Sequence, residues 1–207
     1  MEKFNWLIQK MDKFFQLDTR KILTQASYLL GSQAVSNLLS FIVAIAAAHF
    51  ISKDTYGTYR YILSTISFIG AFSLTGLSTA IVRSVARGYD NIYTTSFTRS
   101  LLWSSPAFAV GLGAGAWYFL HDNIILGFSI TFGGILFPFI QALLWYRSYL
   151  NGKKYFRALM KSNIAYSITT SSAIFGALLF KPSVITLIVV YYISNVIILA
   201  ILTKIIQ

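Results

Sequence analysis

The sequence is poor in the residue types from which most catalytic sites are built. It has no cysteine, which excludes disulfides, thiolate metal sites and cysteine nucleophiles. Only 6 of its 207 residues are acidic and 2 are histidine. The acidic residues lie in the amino-terminal tail or between the apolar segments: Glu2, Asp12, Asp18, Asp54, Asp90 and Asp122. Because catalysis within a membrane needs grouped acids, bases or metal ligands, we expect a protein that is not an enzyme and needs no metal or other cofactor.

Apolar side chains, by contrast, dominate the composition. Hydrophobic residues make up 56% of the chain and aromatic residues 16%, which is more than the core of a soluble domain requires. We predict an all-α integral membrane protein whose six transmembrane helices form one lobe, residues 22–207. The predicted spans are about residues 22–50, 59–82, 97–120, 124–150, 162–180 and 184–203.

Residues 1–21 precede the first predicted span and are amphipathic. Apolar residues recur there at helical spacing and basic residues occupy other positions: Phe4, Leu7, Ile8, Met11, Phe14 and Phe15 against Lys3, Lys10, Lys13 and Arg20. This pattern predicts a cytoplasmic, interfacial amphipathic helix on an anionic membrane surface. A solvated basic tail is the alternative.

Basic residues outnumber acidic residues by 17 to 6, which gives a net charge of +11. They lie between apolar spans rather than on a soluble face, so we expect no nucleic-acid partner. All but Lys53, Arg60 and Lys181 lie on the side of the predicted spans that both chain termini share. Because cytoplasmic loops are enriched in Lys and Arg, this asymmetry predicts a multi-pass protein of the cell membrane with both termini in the cytoplasm.

The first predicted span carries a stripe of polar side chains. At helical spacing its amides and hydroxyls fall on one face: Gln25, Ser32, Gln33, Ser36, Asn37 and Ser40. Lipid would leave these groups without hydrogen-bond partners, so the face must meet other helices or a watery cavity. We predict that it lines a substrate cavity, with hydrogen bonding between helices as the alternative. The candidate binding residues on this face are Gln25, Gln33, Ser36 and Asn37.

Five arginines are the other candidate binding residues: Arg60, Arg83, Arg87, Arg99 and Arg147. Arginine keeps its charge when partly desolvated and binds phosphate through two parallel hydrogen bonds, which suits a pyrophosphate group. Arg60 lies about one turn inside the second span, on the side that the positive-inside rule disfavours. The alternative is that arginines at the predicted cytoplasmic ends only orient helices and bind anionic lipid, and that Arg60 extends its charge to the outer interface.

Two segments carry a resemblance to a known family. The first, residues 51–88, combines a polar turn at 52–54, the pattern Tyr-Gly-x-Tyr at 56–59, and Gly-Leu at 76–77 followed by Ala80 and Arg83. The second is YLNGKKYFRALMKSN at 149–163. They resemble the amino-terminal half of the Wzx-like polysaccharide (O-antigen or oligosaccharide) flippases, which belong to the multidrug/oligosaccharidyl-lipid/polysaccharide exporter superfamily.

The resemblance implies one six-helix lobe of a two-lobed transporter with a cationic central cavity. Such a transporter flips a lipid-linked oligosaccharide, carried on undecaprenyl pyrophosphate, across the cytoplasmic membrane for surface polysaccharide synthesis. The implied partners are that lipid and a second six-helix lobe or a second copy of the chain. The basic residues, independently of the resemblance, predict anionic membrane lipids as further partners. A non-transporting membrane subunit or a truncated remnant is the alternative. A drug or ion exporter of the same superfamily would be expected to carry an intramembrane acid, which the predicted spans lack.

Overall fold

The computed structural model describes residues 19–71, 76–89, 91–180 and 182–206, and within these ranges the chain folds into helices without strands. The helices are α1 (Thr19–Phe50), α2 (Lys53–Gly70), α3 (Leu77–Ala86), α4 (Ile92–Trp103), α5 (Ser105–Leu120), α6 (Ile124–Leu144), α7 (Tyr146–Gly152), α8 (Phe156–Phe180) and α9 (Val184–Ile206). The predicted all-α class is confirmed. The predicted interfacial helix over residues 1–21 lies almost entirely outside the described residues.

Within the described part of the chain, four helical segments are long and apolar enough to cross a membrane: Leu23–Phe50, Ile124–Gly152, Phe156–Phe180 and Val184–Ile205. They coincide with the first, fourth, fifth and sixth predicted spans, and the fourth continues from α6 into α7. The chain therefore has the helices of a multi-pass membrane protein. In place of the second and third predicted spans, the structure has two pairs of shorter helices, so the number of six spans stays a prediction.

The second predicted span is interrupted between α2 and α3. The Ser52 hydroxyl starts α2 by accepting a hydrogen bond from the Thr55 backbone N–H at 3.2 Å, and the helix ends at Gly70. The next helix starts after Gly76, whose φ of 92° is a left-handed conformation that only glycine adopts at little cost. Glycine is also a poor helix former. The hydropathy of this run predicts one continuous span and does not reveal the local break in the helix.

The third predicted span is divided at Ser104 into α4 and α5. Pro106 lies in the first turn of α5, where its missing N–H would have no helical partner in any case. One turn before this break, the Ser100 hydroxyl accepts a hydrogen bond from the buried Trp145 indole over 2.8 Å. The break at Ser104 thus lies next to the junction between α6 and α7, which Trp145 marks.

Helix α6 lies at the centre of the bundle and packs against α2, α4, α5 and α9. Its contact with α5 depends on glycine, because a Cβ added at Gly111 would lie 3.1 Å from the Gly134 Cα. Ile62, Ile130 and Ile188 are completely buried among α2, α6 and α9. On the other side of α9, α8 packs against it and α1 packs against α8. This order leaves a space bordered by α1, α2, α8 and α9.

Candidate functional site

A polar cavity of about 430 Å³ occupies this space. Helix α1 supplies Ser32, Gln33, Ser36, Asn37 and Ser40 to its wall, and α8 supplies Asn163, Tyr166, Ser167, Thr170 and Ser171. The polar stripe of the first predicted span, except for Gln25, is therefore the face of α1 that lines the cavity. The hydroxyl-rich part of α8 lies opposite.

Hydrogen bonds join the polar side chains of these two walls. The Ser36 and Ser167 hydroxyls lie 2.6 Å apart, which links α1 to α8. One turn along α1, Gln33 donates from Nε2 to the Asn37 Oδ1 over 2.9 Å. Ser36 therefore bonds between helices, while the exposed Gln33 and Asn37 line the cavity. That this cavity binds substrate stays a prediction.

Arg60 projects from α2 at the border of two cavities. It lines the first cavity and also a second one of about 550 Å³, whose wall includes Gln141 of α6 and Asn195 of α9. Its Cζ lies 6.0 Å from the centre of the Tyr56 ring, at the outer limit of a cation–π contact. The side chain is exposed, so this charge is available to a ligand in either cavity.

Arg147 of α7 lines the first cavity and is held by aromatic rings. Its Cζ lies 4.8 Å from the centre of the Tyr166 ring and 5.9 Å from that of Tyr146. The Tyr166 hydroxyl donates to the Oδ1 of the fully buried Asn195, whose Nδ2 donates to the Tyr191 carbonyl over 2.7 Å. A chain of contacts therefore fixes the half-buried Arg147 relative to α8 and α9.

The charge of the cavity is of one sign. Among the described residues of its wall there are two arginines and no acidic residue. Asn163 adds a buried acceptor, since its Oδ1 has no hydrogen-bond partner within the described part of the chain. Guanidinium groups bind phosphate oxygens with two parallel hydrogen bonds, and amides and hydroxyls bind the hydroxyls of a sugar. The cavity thus suits an anionic ligand that also carries hydroxyl groups.

Of the nine residues that the sequence predicted to bind substrate, five line this cavity: Gln33, Ser36, Asn37, Arg60 and Arg147. The other four lie elsewhere. Gln25 borders a separate groove beside the start of α8, and Arg83, Arg87 and Arg99 are exposed on or beside α3 and α4. Arg83 lies in the last turn of α3 and Arg87 directly follows it, where a cation stabilises the helix dipole.

Sequence reasoning missed Tyr166, Asn195 and Asn163 at this site. A tyrosine or asparagine in an apolar run has several ordinary explanations, and it acquires a role only through its contacts with other helices. The one available signal was the polarity of the fifth span, which is rich in serine and threonine. That signal could have marked α8 as the second wall of the cavity.

The sequence model of a family described as "Polysaccharide biosynthesis protein" matches residues 22–207. No curated protein and no solved structure matches the chain.

Proposed function

Because the chain belongs to the polysaccharide biosynthesis protein family, we propose that it forms one lobe of a flippase for a lipid-linked oligosaccharide. In this proposal it moves an undecaprenyl pyrophosphate-linked glycan from the cytoplasmic to the outer leaflet during surface polysaccharide synthesis. The observation that carries the proposal is the polar cavity with Arg60 and Arg147 on its wall and no acidic residue among its described lining residues. Translocation breaks no covalent bond, so it requires binding groups rather than catalytic ones.

The two arginines are the proposed ligands of the pyrophosphate. Each guanidinium has five N–H donors in a fixed plane, which matches the spacing of phosphate oxygens. Arg60 comes from α2 and Arg147 from α7, so a pyrophosphate bound by both would connect two separate parts of the bundle. Lysine could supply the charge but not the paired hydrogen bonds.

The neutral polar side chains are the proposed contacts of the glycan. Gln33 and Asn37 are exposed on the α1 side of the cavity, and Asn163 offers an unpartnered acceptor on the α8 side. Sugars have many hydroxyl groups that donate and accept hydrogen bonds, and such groups satisfy amide side chains well. These residues therefore supply recognition without adding charge.

We infer that a second lobe covers this cavity in the membrane. Gln33, Asn37, Ser40 and Arg60 are exposed although they belong to predicted spans. Hydrocarbon would leave such groups unsatisfied at a cost of several kcal/mol each, so water or protein must face them. A second six-helix lobe would enclose them.

The test is export of surface polysaccharide in cells whose own copy of this chain has been replaced by a variant. We expect Arg60→Ala and Arg147→Ala each to abolish or strongly reduce export while membrane insertion stays normal. Arg60→Lys should retain part of the activity, because it keeps the charge but not the paired hydrogen bonds. Arg99→Ala removes an exposed arginine that does not line the cavity and is the matched control.

Normal export by a well-inserted Arg60→Ala, Arg147→Ala double variant would contradict the proposal. It would favour a membrane subunit that does not itself bind the transported lipid. Equal loss of export in the Arg99→Ala control would show that the assay reports net charge rather than the cavity.

A further inference from the structure

A separate basic groove of about 540 Å³ lies between α1 and the start of α8. Its wall is formed by Gln25, Tyr28, Lys154, Tyr155, Phe156, Arg157, Ala158 and Lys161. We propose that this groove binds the phosphate group of an anionic membrane lipid. The site is distinct from the cavity that contains Arg60 and Arg147, and the proposal does not depend on the flippase function.

The exposed side chains of the groove carry positive charge. Lys154, Arg157 and Lys161 are all exposed, and the described residues of the groove wall include no acidic side chain. Three cations without neutralising carboxylates attract an anion, and phosphate accepts hydrogen bonds from lysine and arginine alike. The groove lies at the end of the bundle that the distribution of basic residues predicts to be cytoplasmic, where anionic lipids are the abundant anions of the membrane surface.

The groove wall combines aromatic rings with these basic groups. Tyr155 is 59% exposed, and Tyr28 and Phe156 are partly exposed beside it. Tyrosine is enriched at the level of lipid headgroups, where its ring contacts apolar atoms and its hydroxyl reaches water. A lipid offers both an apolar part for these rings and a phosphate for the cations. A soluble phosphate would use only the cations, so the groove fits a lipid better.

Lys154 has a left-handed backbone conformation at the end of α7. Helix α7 ends with two hydrogen bonds, from the Lys154 N–H to the Asn151 carbonyl at 3.0 Å and from the Tyr155 N–H to the Leu150 carbonyl at 2.9 Å. In this type of helix end the left-handed residue is usually glycine, yet here it is Lys154, with a φ of 61°. A lysine in a conformation that costs free energy is a reason to look for a function of its charge.

Basic residues at this end of the bundle could instead serve only to orient the helices. The chain offers a matched comparison for that explanation, because Arg83, Arg87 and Arg99 are also three exposed cations on the same predicted side. They do not line the groove. If only the number of charges matters, removing either set of cations should weaken lipid binding equally. If the groove binds lipid, only removal of the three groove cations should weaken it.

The experiment is native mass spectrometry of the full chain in a neutral detergent, titrated with phosphatidylglycerol or with phosphatidylcholine. We expect the triple variant Lys154→Gln, Arg157→Gln, Lys161→Gln to bind phosphatidylglycerol roughly 100-fold more weakly, because each lost charge should weaken binding by a factor of about five. Binding of phosphatidylcholine, which has no net charge, should change little. The charge-retaining variant Lys154→Arg, Arg157→Lys, Lys161→Arg should bind phosphatidylglycerol as the native chain does.

The control variant has glutamine at positions 83, 87 and 99, and we expect it to bind phosphatidylglycerol within about threefold of the native chain, because its charges lie away from the groove. Size-exclusion chromatography and circular dichroism would verify that each variant is folded. Should the triple groove variant misfold, Lys154→Gln alone should weaken binding about fivefold.

Two outcomes would overturn the proposal. An equal loss of phosphatidylglycerol binding in the control would show attraction to diffuse charge rather than to the groove. Displacement of the lipid by inorganic pyrophosphate at similar concentration would assign the groove to a soluble phosphate. Neither readout involves glycan export, so the proposed flippase function stands or falls separately.

Discussion

Two replacements of Tyr166 should separate the two contacts that this side chain makes. Its ring lies 4.8 Å from the Arg147 Cζ, and its hydroxyl donates to the Oδ1 of Asn195. Phenylalanine keeps the ring and removes the hydroxyl, whereas leucine removes both. We therefore expect Tyr166→Phe to affect mainly stability and Tyr166→Leu to affect stability and anion binding.

The magnitudes follow from the surroundings of each contact. A cation–π contact contributes about 0.5–1 kcal/mol when exposed and about 2 kcal/mol when desolvated. Arg147 is half-buried, so removing the Tyr166 ring should cost about 1 kcal/mol of the free energy that positions its guanidinium. That free energy corresponds to roughly fivefold in affinity for a pyrophosphate. Asn195 is only 1% exposed, and an unpaired buried acceptor costs about 1–3 kcal/mol of stability.

The assay is a titration of the purified protein with a fluorescent polyprenyl pyrophosphate, together with thermal unfolding followed by tryptophan fluorescence. Tyr166→Phe should unfold at a lower temperature and bind with near-native affinity. Tyr166→Leu should also unfold earlier and bind about fivefold more weakly. In an Arg147→Ala background, Tyr166→Leu should cause no further loss of affinity, because the contact is already absent.

Three results would refute this reasoning. If Tyr166→Phe and Tyr166→Leu weaken binding equally, the ring does not position Arg147. If Tyr166→Leu still costs fivefold in the Arg147→Ala background, Tyr166 acts through some other group. Loss of stability alone, with unchanged affinity in both variants, would limit Tyr166 to a structural role.

Three further predictions concern packing, backbone and charge. Gly111→Ala should lower the unfolding temperature, because the added Cβ would press on the Gly134 backbone at a cost of about 1–3 kcal/mol. Gly113→Ala on the same helix meets open space and should leave the unfolding temperature unchanged. Equal effects of the two variants in thermal unfolding would contradict this prediction. Gly76→Ala should cost about 1–2 kcal/mol because of its φ of 92°, and unchanged unfolding would argue against the break before α3. Asn163→Asp should weaken pyrophosphate binding more at pH 8 than at pH 4, because only the ionised carboxylate repels phosphate, and the same titration at both pH values measures it.

The parts of the site that could be predicted are those encoded by one helix at a time. The spacing of Ser32, Gln33, Ser36 and Asn37 places them on one face of a helix, and that face lines the cavity. Arg60 could be identified because placing an arginine within an apolar membrane span costs free energy. In contrast, the contact between Tyr166 and Asn195 joins residues on α8 and α9, and no local pattern reveals which helices pack together.

Helix breaks were harder to predict than helix positions. Pro106 and Pro138 lie in similar apolar runs, yet Pro106 begins α5 after a break and Pro138 lies within the continuous α6. What distinguishes them is their surroundings, because Pro138 is buried at the centre of the bundle while Pro106 is exposed. Hydropathy detects the length of an apolar segment and is insensitive to such interruptions.

The way the cavity holds its arginines also bears on release of the ligand. Within the described residues, Arg60 and Arg147 contact aromatic rings, and the cavity wall offers them no carboxylate. A carboxylate would stabilise each cation, but it would occupy the edge of the guanidinium that phosphate needs, and the ligand would have to displace it. An aromatic ring contacts the flat face of the guanidinium instead. In Arg147 the Nε–H also donates to the Tyr146 hydroxyl at 3.4 Å, and the two terminal nitrogens have no partner among the described residues. In the proposed flippase, the anion must be bound on one side of the membrane and released on the other, so cations positioned by rings would serve this function better than cations already paired with acids.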